Sequence, residues 1–580
     1  MANSNVMNNQ VVAMNSSQTI SIVPENGEQF NPGQKIIYNI EPEVGYIKRD
    51  SYLVFDVVNN SGNHALYTFA KNAGCSSIIE SINIYSKETG ILLENLNNYA
   101  EWVNIENQYL YDDATQLQLK EGVGHPVQAK EIKIKADNSL IIEPSKPVGD
   151  HPANNQLSPK DITGNLKPMA RRFCLRLRSG IFNYWDDEKL IPILNFGGLR
   201  IELVLAKPEL ALQRVCPHLL ATPAVGYESG HREIDLVNIV APTADAPGLV
   251  ITAKTDTAGA GNANNVEIDI SALNSVFPNC FPSSQEDEGV AGTGALGLAV
   301  GNVVNFYQTA TTNKRGGDHT ITSITFSVPS SVNGVKGCNK VVLGFANGSL
   351  NGNGIVATDY IKLASAFNVP NYKVKSTEFR LLQVVPPPNV ANALMKGLNY
   401  EFTSYDTFLN NIPTGVLRHQ IPITSVASKA VALFTHYHDA TKVEDHSAPN
   451  IYDGLSPSEF ALNSVQYFIN NRLYPLRDYN PQARSDRCLN QNELVKAWRA
   501  IGKNPLNLGD NSRMSLNGYA NSYMTCRELA RQGFVFDLRN AEPEIRLKFS
   551  GSRASIVRAN TFVFSKKIIQ STATGVQVVL

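Results

Sequence analysis

The sequence is poor in charge, and the charge that it has is balanced. Its 580 residues include 51 Lys or Arg and 52 Asp or Glu, so the net charge is −1, and charged residues make up only 18%, against a usual share of about 25%. A protein that binds DNA by neutralising phosphates normally carries a basic excess or a basic stripe. The first 34 residues contain neither Lys nor Arg. We therefore expect no direct, sequence-specific binding of nucleic acid.

Signals for export and for membrane insertion are also missing. The N-terminus is polar and lacks the basic and apolar segments of a secretory signal. No apolar run approaches the ~18–20 residues that cross a bilayer. We therefore expect synthesis in the cytosol and no membrane span. The cysteines are scattered, odd in number and never in a C-x-x-C pair, which argues against a disulfide framework or a zinc motif and predicts buried free thiols. They are Cys75, Cys174, Cys216, Cys280, Cys338, Cys488 and Cys526.

Motifs for catalysis are absent as well. The sequence has no phosphate-binding loop, no dinucleotide-binding glycine motif, no H-E-x-x-H and no G-x-S-x-G. The best cluster of metal ligands is His436 and His438, which share a face at the end of a predicted strand, with Asp439 and His446 nearby. Because H-x-H is short and the spacing fixes no third ligand, we interpret the pair as polar residues at a strand edge. We predict no catalytic residue and no cofactor or metal site, with His436 and His438 as the only metal candidates.

Other polar and aromatic clusters receive structural interpretations. Paired carboxylates beside an aromatic ring are typical of glycoside hydrolysis, but the acidic residues 186–188 are adjacent and precede Lys189, which predicts a helix start favoured by the helix dipole. The acidic residues 286–288 lack the spaced oxygen ligands of a calcium loop. The prolines at 386–388 predict a rigid stop after a strand. We expect the three tryptophans in the core, namely Trp102, Trp185 and Trp498.

Short runs that alternate in polarity dominate the sequence. The clearest is 199–205, where Leu199, Ile201, Leu203 and Leu205 share one face, which predicts a strand with one buried side. Many such runs, separated by turn signals about every ten residues, predict all-β sandwiches or barrels. Further predicted strands include 35–40, 51–58, 77–85, 130–135, 173–177, 249–253, 266–270, 320–328, 340–345, 378–385, 398–405, 420–423, 429–434, 464–469, 533–538, 544–549 and 555–564.

Two helices are predicted among these strands. The first lies near 93–110, although the polar Asn107 interrupts its apolar stripe. The second is 491–501, with Asn490 as its N-cap and Gly502 at its end. The apolar stripe of the second helix consists of Leu494, Ala497, Trp498 and Ile501.

Composition divides the chain. Residues 216–370 are rich in Gly, Ala, Thr, Asn and Val and poor in aromatics, as in an insertion tolerated at a surface site between framework strands. We predict a polar N-terminal arm at 1–34, a first sandwich at 35–415 interrupted by this insertion, and a second sandwich at 416–580. No internal repeat is visible in the residues.

Several segments together resemble a family signature. They are 170–185 (ARRFCLRLRSGIFNYW), 190–194 (LIPIL) and 197–205 (GGLRIELVL). This order resembles the strand, short helix and strand passage in the first jelly roll of double jelly-roll major capsid proteins, above all those of virophages and polinton-like viruses. Segments 420–423 (QIPI) and 471–475 (NRLYP) resemble the opening and a later part of the second jelly roll. The resemblance extends from about residue 35 to 580.

This resemblance implies a structural role. It implies an all-β chain of two tandem jelly rolls that forms a homotrimer with a pseudo-hexagonal outline, tiles an icosahedral shell around double-stranded DNA, and has no enzymatic activity. The implied partners are neighbouring capsomers, a penton protein and minor or cement proteins, the implied location is the virion, and the insertion at 216–370 would form part of an outward-facing tower. Near-zero net charge is consistent with the close packing of many copies.

Two other classes stay open at this stage. A carbohydrate-binding or carbohydrate-active β-sandwich protein would need a cleft with exposed aromatics or spaced carboxylates. A tail fibre or surface-layer protein would favour repeats.

Overall fold

A computed structural model describes the protein over most of the two predicted sandwiches and over parts of the insertion. The described residues are 16–61, 67–70, 73–111, 120–123, 132–134, 140–142, 170–186, 189–214, 251–256, 264–269, 303–308, 314–326, 340–346, 348–363, 370–388, 398–440, 452, 454–455, 457–458, 460–503, 523–530, 535–539, 541–553, 555–572 and 575–579.

Strands make up most of the regular structure and are numbered here along the chain. Before the insertion they are β1 (Ser16–Ile22), β2 (Gln29–Phe30), β3 (Lys35–Ile40), β4 (Tyr46–Ile47), β5 (Tyr52–Asn59), β6 (Tyr67–Phe69), β7 (Ile79–Ser86), β8 (Leu92–Leu96), β9 (Ile132–Ile134), β10 (Leu140–Ile142), β11 (Arg171–Leu175), β12 (Ile191–Pro192), β13 (Leu199–Leu205) and β14 (Leu212–Arg214). Within it they are β15 (Ile251–Asp256), β16 (Asn264–Asp269), β17 (Val303–Tyr307), β18 (Lys314–Phe326), β19 (Lys340–Phe345) and β20 (Tyr360–Leu363). After it they are β21 (Tyr372–Val385), β22 (Leu398–Ile412), β23 (Arg418–Pro422), β24 (Ala430–Asp439), β25 (Leu462–Ile469), β26 (Arg472–Tyr479), β27 (Met524–Glu528), β28 (Glu544–Phe549), β29 (Val557–Thr572) and β30 (Gly575–Val579).

The last part of the chain forms a jelly roll. Its two antiparallel sheets have the strand orders β22–β29–β24–β27 and β23–β28–β25–β26, with β30 added beside β29. If the strands from β22 to β29 are counted as positions one to eight, these orders are 1-8-3-6 and 2-7-4-5. Two four-stranded sheets exchanged in this way are the jelly-roll arrangement.

The first part of the chain repeats this topology. Its sheets contain the orders β1–β21–β5–β11 and β3–β13–β7–β8, which are again 1-8-3-6 and 2-7-4-5. The short strands β2, β4 and β12 extend the first of these sheets. The prediction of an all-β chain with two tandem jelly rolls is therefore confirmed, and the duplication lies in the strand order.

The insertion occupies the connection between the seventh and eighth strands of the first jelly roll. Between β13 and β21 it forms a six-stranded sheet of order β15–β16–β19–β18–β17–β20. Four of these strands overlap the predicted ones at 249–253, 266–270, 320–328 and 340–345.

Strand pairing bears on the predicted boundaries. β1 lies inside the predicted arm at 1–34, yet it pairs with β21 from Ser16 opposite Val385 to Ile22 opposite Phe379. β22 lies inside the predicted unit 35–415, yet it pairs with β29 in the second jelly roll. The second jelly roll therefore opens at β22, and segment 420–423 falls at the end of its second strand, which corrects the position implied by the resemblance. The divisions at 34 and 415 otherwise stay predictions.

The helices follow equivalent strands in the two jelly rolls. α1 (Tyr99–Leu110) follows β8 and α4 (Arg484–Ala500) follows β26, each at position five. Two short helices, α2 (Lys120–Val123) and α3 (Pro208–Ala211), and 3₁₀ turns at Pro42–Val44, Gly74–Ile78 and Leu194–Phe196 complete the described elements.

The prediction for the start of α4 is wrong. The helix begins at Arg484, and Asn490 is buried inside it rather than capping it. The Asn490 amide accepts a hydrogen bond from the Tyr479 hydroxyl at 2.9 Å and donates one to the Met524 carbonyl at 3.2 Å. Because the Asn490 side chain makes these tertiary hydrogen bonds, its preference for capping does not determine where α4 begins. The predicted apolar stripe is buried, and Gly502 follows the helix with a φ of 75°.

Strand β13 illustrates how the pattern produces the fold. Its predicted inner face is buried, whereas Arg200 on the other face is exposed. It pairs with β3 on one side and with β7 on the other. The largest hydrophobic core starts from such strands and continues without a break into the second jelly roll, where it includes Phe434 and Phe564.

Candidate functional site at the junction of the two jelly rolls

Helix α1 is enclosed at the junction of the two jelly rolls. Every one of its twelve residues is buried, although a helix at a protein surface buries only one stripe. Its buried polar residues are Glu101, Asn104, Glu106, Asn107 and Gln108. Since buried polar groups must be hydrogen-bonded to be stable, their partners define how the two jelly rolls fit together.

Trp102 of α1 is the centre of an aromatic cluster that belongs to both jelly rolls. Its ring centroid lies 4.7–5.7 Å from five rings of the second jelly roll, within the range for favourable aromatic pairs. These rings belong to Tyr405, Phe434, Trp498, Phe562 and Phe564. The cluster makes the junction a continuous core.

A buried ion pair holds the segment after β11 against α1. The Arg178 guanidinium donates to Glu106 at 2.6 Å, and the Trp185 indole N–H donates to the same carboxylate at 3.2 Å. Arg178 also donates to Asn107, the residue that interrupts the predicted apolar stripe of α1. Burial alone would lower the pKa of Arg178, but Tyr184 and Glu106 outweigh it, so the pKa is raised and the guanidinium stays charged.

The backbones of the two jelly rolls lie close together at Gly180. A Cβ atom on this residue would lie 2.1 Å from the carbonyl oxygen of Thr403 in β22 and 2.6 Å from the Phe402 ring. Only a residue without a side chain fits there. Gly180 belongs to segment 170–185, so part of the segment that carried the family resemblance forms the junction.

Glu94 and Asp186 hold the two backbones together by hydrogen bonds. Glu94 accepts hydrogen bonds from the Gly180 and Ile181 amides at 2.8 and 3.2 Å and from the Ser404 hydroxyl at 2.6 Å. Burial raises the pKa of the Glu94 carboxyl against these hydrogen bonds, which lower it. Asp186 accepts from the Thr403 amide at 2.7 Å and from its hydroxyl at 2.9 Å. Carboxylates of the first jelly roll thus accept hydrogen bonds from donors of β22 in the second.

The prediction that residues 186–188 begin a helix is wrong for Asp186. This residue lies in a bend, and its carboxylate is used across the junction. Residues 187–188, the acidic run 286–288 and His446 lie outside the described residues. All three tryptophans are buried, as predicted. Of the four described cysteines, Cys75 and Cys526 are buried, whereas Cys174 and Cys488 are exposed, contrary to the expectation for them.

The metal candidates His436 and His438 lie at this junction, together with Glu101 of α1. His436 Nδ1 is 3.1 Å and His438 Nε2 is 3.6 Å from the same Glu101 oxygen, Oε1. The Asn560 amide donates to the other oxygen, Oε2, and its nitrogen is 3.2 Å from His438 Nε2. Residues of α1, β24 and β29 therefore form one buried polar cluster.

Burial controls the ionisation of this cluster. It lowers the pKa of His438 to about 4, even though Glu101 acts in the opposite direction. Burial alone would raise the pKa of Glu101, but attraction to His438 and hydrogen bonds from His436 and Asn560 outweigh it and lower the pKa. At neutral pH we therefore take the cluster as a carboxylate beside a neutral His438 imidazole.

Both histidines lie at the end of β24, as interpreted from the sequence, and both are buried. Their shared face follows from the two-residue period of a strand. No pattern in the residues pointed to Glu101, which lies 335 positions from His436. No helix in the described part of the chain is long and apolar enough to span a membrane.

Comparison with known proteins gives similarity at the level of structure. No protein-family model matches the chain, and no curated protein matches its sequence. The mavirus major capsid protein is 10% identical, with a TM-score of 0.39, over 100% of this chain and 93% of that chain. The Faustovirus major capsid protein is 9% identical, with a TM-score of 0.44, over 97% and 92%. A chain of the Sputnik virophage structure is 10% identical, with a TM-score of 0.42, over 99% and 91%. Each of these three matches covers more than nine tenths of both chains at low sequence identity.

Proposed function

We propose that this chain is the major capsid protein of a double-stranded DNA virus, made in the host cytoplasm and located in the virion. In this proposal it is a structural subunit without catalytic activity. Three chains associate into a pseudo-hexameric capsomer, and capsomers tile an icosahedral shell. Neighbouring capsomers, a penton protein and minor or cement proteins are its proposed partners.

One observation carries the proposal: two jelly rolls of equal strand order are fastened into one block. If each chain is a rigid block of two similar jelly rolls, a trimer contains six similar units. Its outline is therefore close to a hexagon. The junction supplies the rigidity, because a fully buried helix, an aromatic cluster and buried carboxylates join the halves. A flexible pair of domains would have a smaller and more polar interface.

The insertion has a place in the same proposal. Its position between β13 and β21 puts a separate sheet on a connection at one end of the first jelly roll. We propose that residues 216–370 form the tower on the outer surface of the capsomer. The net charge of −1 limits repulsion between the many copies that a shell brings together.

The tryptophans and the buried glutamates give no support to the carbohydrate-binding alternative. Stacking on sugars needs exposed aromatic rings, but Trp102, Trp185 and Trp498 are at most 4% exposed. Glu94, Glu101 and Glu106 are also buried, and each is held by hydrogen bonds. These carboxylates therefore do not line an open cleft in which a glycoside could be cleaved.

The first experiment is to measure the mass of the purified protein by light scattering on a sizing column, with negative-stain imaging of the same peak. We expect a particle of three 63.5 kDa chains, about 190 kDa in total, with a hexagonal outline, or closed shells at high concentration. A glycan-binding screen on the same sample tests the alternative.

The outcomes separate the two functions. A hexagonal trimer that binds no glycan supports the capsid role. A monomer that binds a defined glycan, with no particles at any concentration, overturns it. A long fibrous particle overturns it as well, because jelly-roll blocks that tile a shell do not form extended repeats.

A further inference from the structure

We propose that Glu101, His436 and His438 form a structural binding site for a zinc-like divalent transition-metal ion that fastens the first jelly roll to the second. The site goes beyond the capsid role and does not depend on it. Glu101 is contributed by α1 of the first jelly roll, and both histidines by β24 of the second. A metal bound there would be a link between the two halves.

The geometry is close to that of a three-ligand site. One ligand atom from each side chain lies within 4.8 Å of the other two, and Glu101 Oε1 is 3.1 Å from His436 Nδ1 and 3.6 Å from His438 Nε2. Ligands about 2.0–2.1 Å from a tetrahedral zinc ion are ~3.3 Å apart. Small movements of side chains would bring the three atoms to that separation.

Each of the three ligand atoms has a hydrogen-bonding neighbour, but the contact between Glu101 and His438 is not a hydrogen bond. The separation of 3.6 Å between Glu101 Oε1 and His438 Nε2 is too long for a hydrogen bond. When His438 carries its proton on Nδ1, Nε2 has a single lone pair, and a bound metal ion would take it in place of the contact with the Asn560 nitrogen at 3.2 Å. A cation between this lone pair and the Glu101 carboxylate would be stabilised by its attraction to both.

Neighbouring groups fit the metal-bound form. Asn560 donates to Glu101 Oε2, which leaves Oε1 available as a ligand and orients the carboxylate, as outer hydrogen bonds do in metal sites. The Asn560 amide oxygen is itself buried and has no hydrogen-bond partner among the described residues.

The donor set selects the class of metal. Two imidazole nitrogens and one carboxylate oxygen suit Zn²⁺, Co²⁺, Ni²⁺ or Cu²⁺. Mg²⁺ and Ca²⁺ prefer sites made only of oxygen ligands. The burial of the cluster, with side-chain exposures of 0–6%, is typical of a structural ion and leaves little access for a substrate.

The test uses the full chain after removal of metal with a chelator. Titration with Co²⁺ should give visible absorption bands of low-coordinate cobalt that saturate at one ion per chain. Zn²⁺ should raise the midpoint of thermal unfolding by at least ~3 °C, whereas Mg²⁺ should not. Both effects should disappear in Glu101→Gln, which keeps the shape and one hydrogen-bonding oxygen of the side chain.

His419→Gln is the matched control, because His419 lies on β23 outside the cluster; both metal effects should persist in this variant. If Glu101→Gln does not fold, His438→Gln replaces it with the same expected loss. The inference is overturned if the metal-free protein gives no saturable cobalt spectrum, or if the zinc effect persists in the cluster variant. The metal titration does not depend on oligomerisation, so a protein that binds no cobalt would leave the capsid proposal unaffected. Conversely, a monomeric protein that binds cobalt would support the metal site and count against the capsid proposal.

Discussion

The indole rings of Trp102 and Trp498 lie with their centroids 5.5 Å apart, although one belongs to α1 of the first jelly roll and the other to α4 of the second. The two helices occupy equivalent positions in two copies of one topology. The two equivalent helices therefore meet through these rings, which belong to the aromatic cluster of the junction.

Replacing Trp102 tests this contact. We expect Trp102→Ala to lower the free energy of unfolding by about 3–5 kcal/mol, because it leaves a cavity among five aromatic rings. In a double-mutant cycle, Trp102→Ala and Trp498→Ala should show a coupling energy of ~1 kcal/mol, measured by guanidinium unfolding. Trp102→Phe is the control and should cost less, since the Trp102 N–H has no hydrogen-bond partner among the described residues. Additive effects of the two alanine variants would contradict a direct contact.

Gly180→Ala should push the two jelly rolls apart where the Gly180 backbone lies against Thr403. The new methyl group would meet the Thr403 carbonyl at 2.1 Å, and relief of this overlap requires a backbone shift that costs about 1–3 kcal/mol. The matched control is Gly551→Ala, where a Cβ atom meets nothing within 4 Å. Thermal unfolding of both variants is the measurement, and equal midpoints would show that the junction tolerates a wider separation.

The buried ion pair of Arg178 and Glu106 predicts a non-additive pair of variants. Arg178→Met leaves a buried carboxylate without its cation, and we expect a loss of about 3–5 kcal/mol. Adding Glu106→Gln should restore part of this loss, because the uncompensated charge is removed while Trp185 keeps a hydrogen-bond acceptor. Chemical unfolding of the single and double variants decides the point. A double variant less stable than Arg178→Met would mean that the charge of Glu106 is compensated elsewhere.

The attachment of β1 should depend on pH through Glu378. This carboxylate accepts hydrogen bonds from Ser21 of β1 and from Arg380, which hold its pKa below the ordinary value of 4.5. A carboxyl group with a lowered pKa in the folded state stabilises the fold above its unfolded pKa, and this contribution is lost as the pH falls through the folded pKa. We therefore expect β1 to loosen below about pH 4.5.

Hydrogen exchange of the β1 amides, corrected for the intrinsic effect of pH, measures this loosening. In Glu378→Gln, whose side chain cannot ionise, the β1 amides should exchange at neutral pH as fast as those of the wild type do at low pH. Wild-type protection that stays constant down to about pH 3 would refute the role of this carboxylate.

Individual elements differ in how far the sequence predicts them. β13 follows from alternation alone, since the three leucines and one isoleucine of its inner face are all buried. The apolar stripe of α4 follows from helical spacing, but its start does not, because Asn490 bonds to Tyr479 and Met524 instead of capping the helix. β1 was predicted within a polar arm, because pairing with β21, far along the chain, is invisible in a short and mostly polar segment.

The candidate site divides in the same way. The sequence by itself determined that His436 and His438 share a face, because the period of a strand is two. It also determined the all-β class and the predicted burial of the tryptophans, through patterns that are local in the chain. Only the tertiary structure decided that Glu101 is the third member of the cluster, that Gly180 must be glycine, and that α1 is buried on every side. The physical reason is that these facts depend on the packing of one jelly roll against the other, which brings together residues that are hundreds of positions apart.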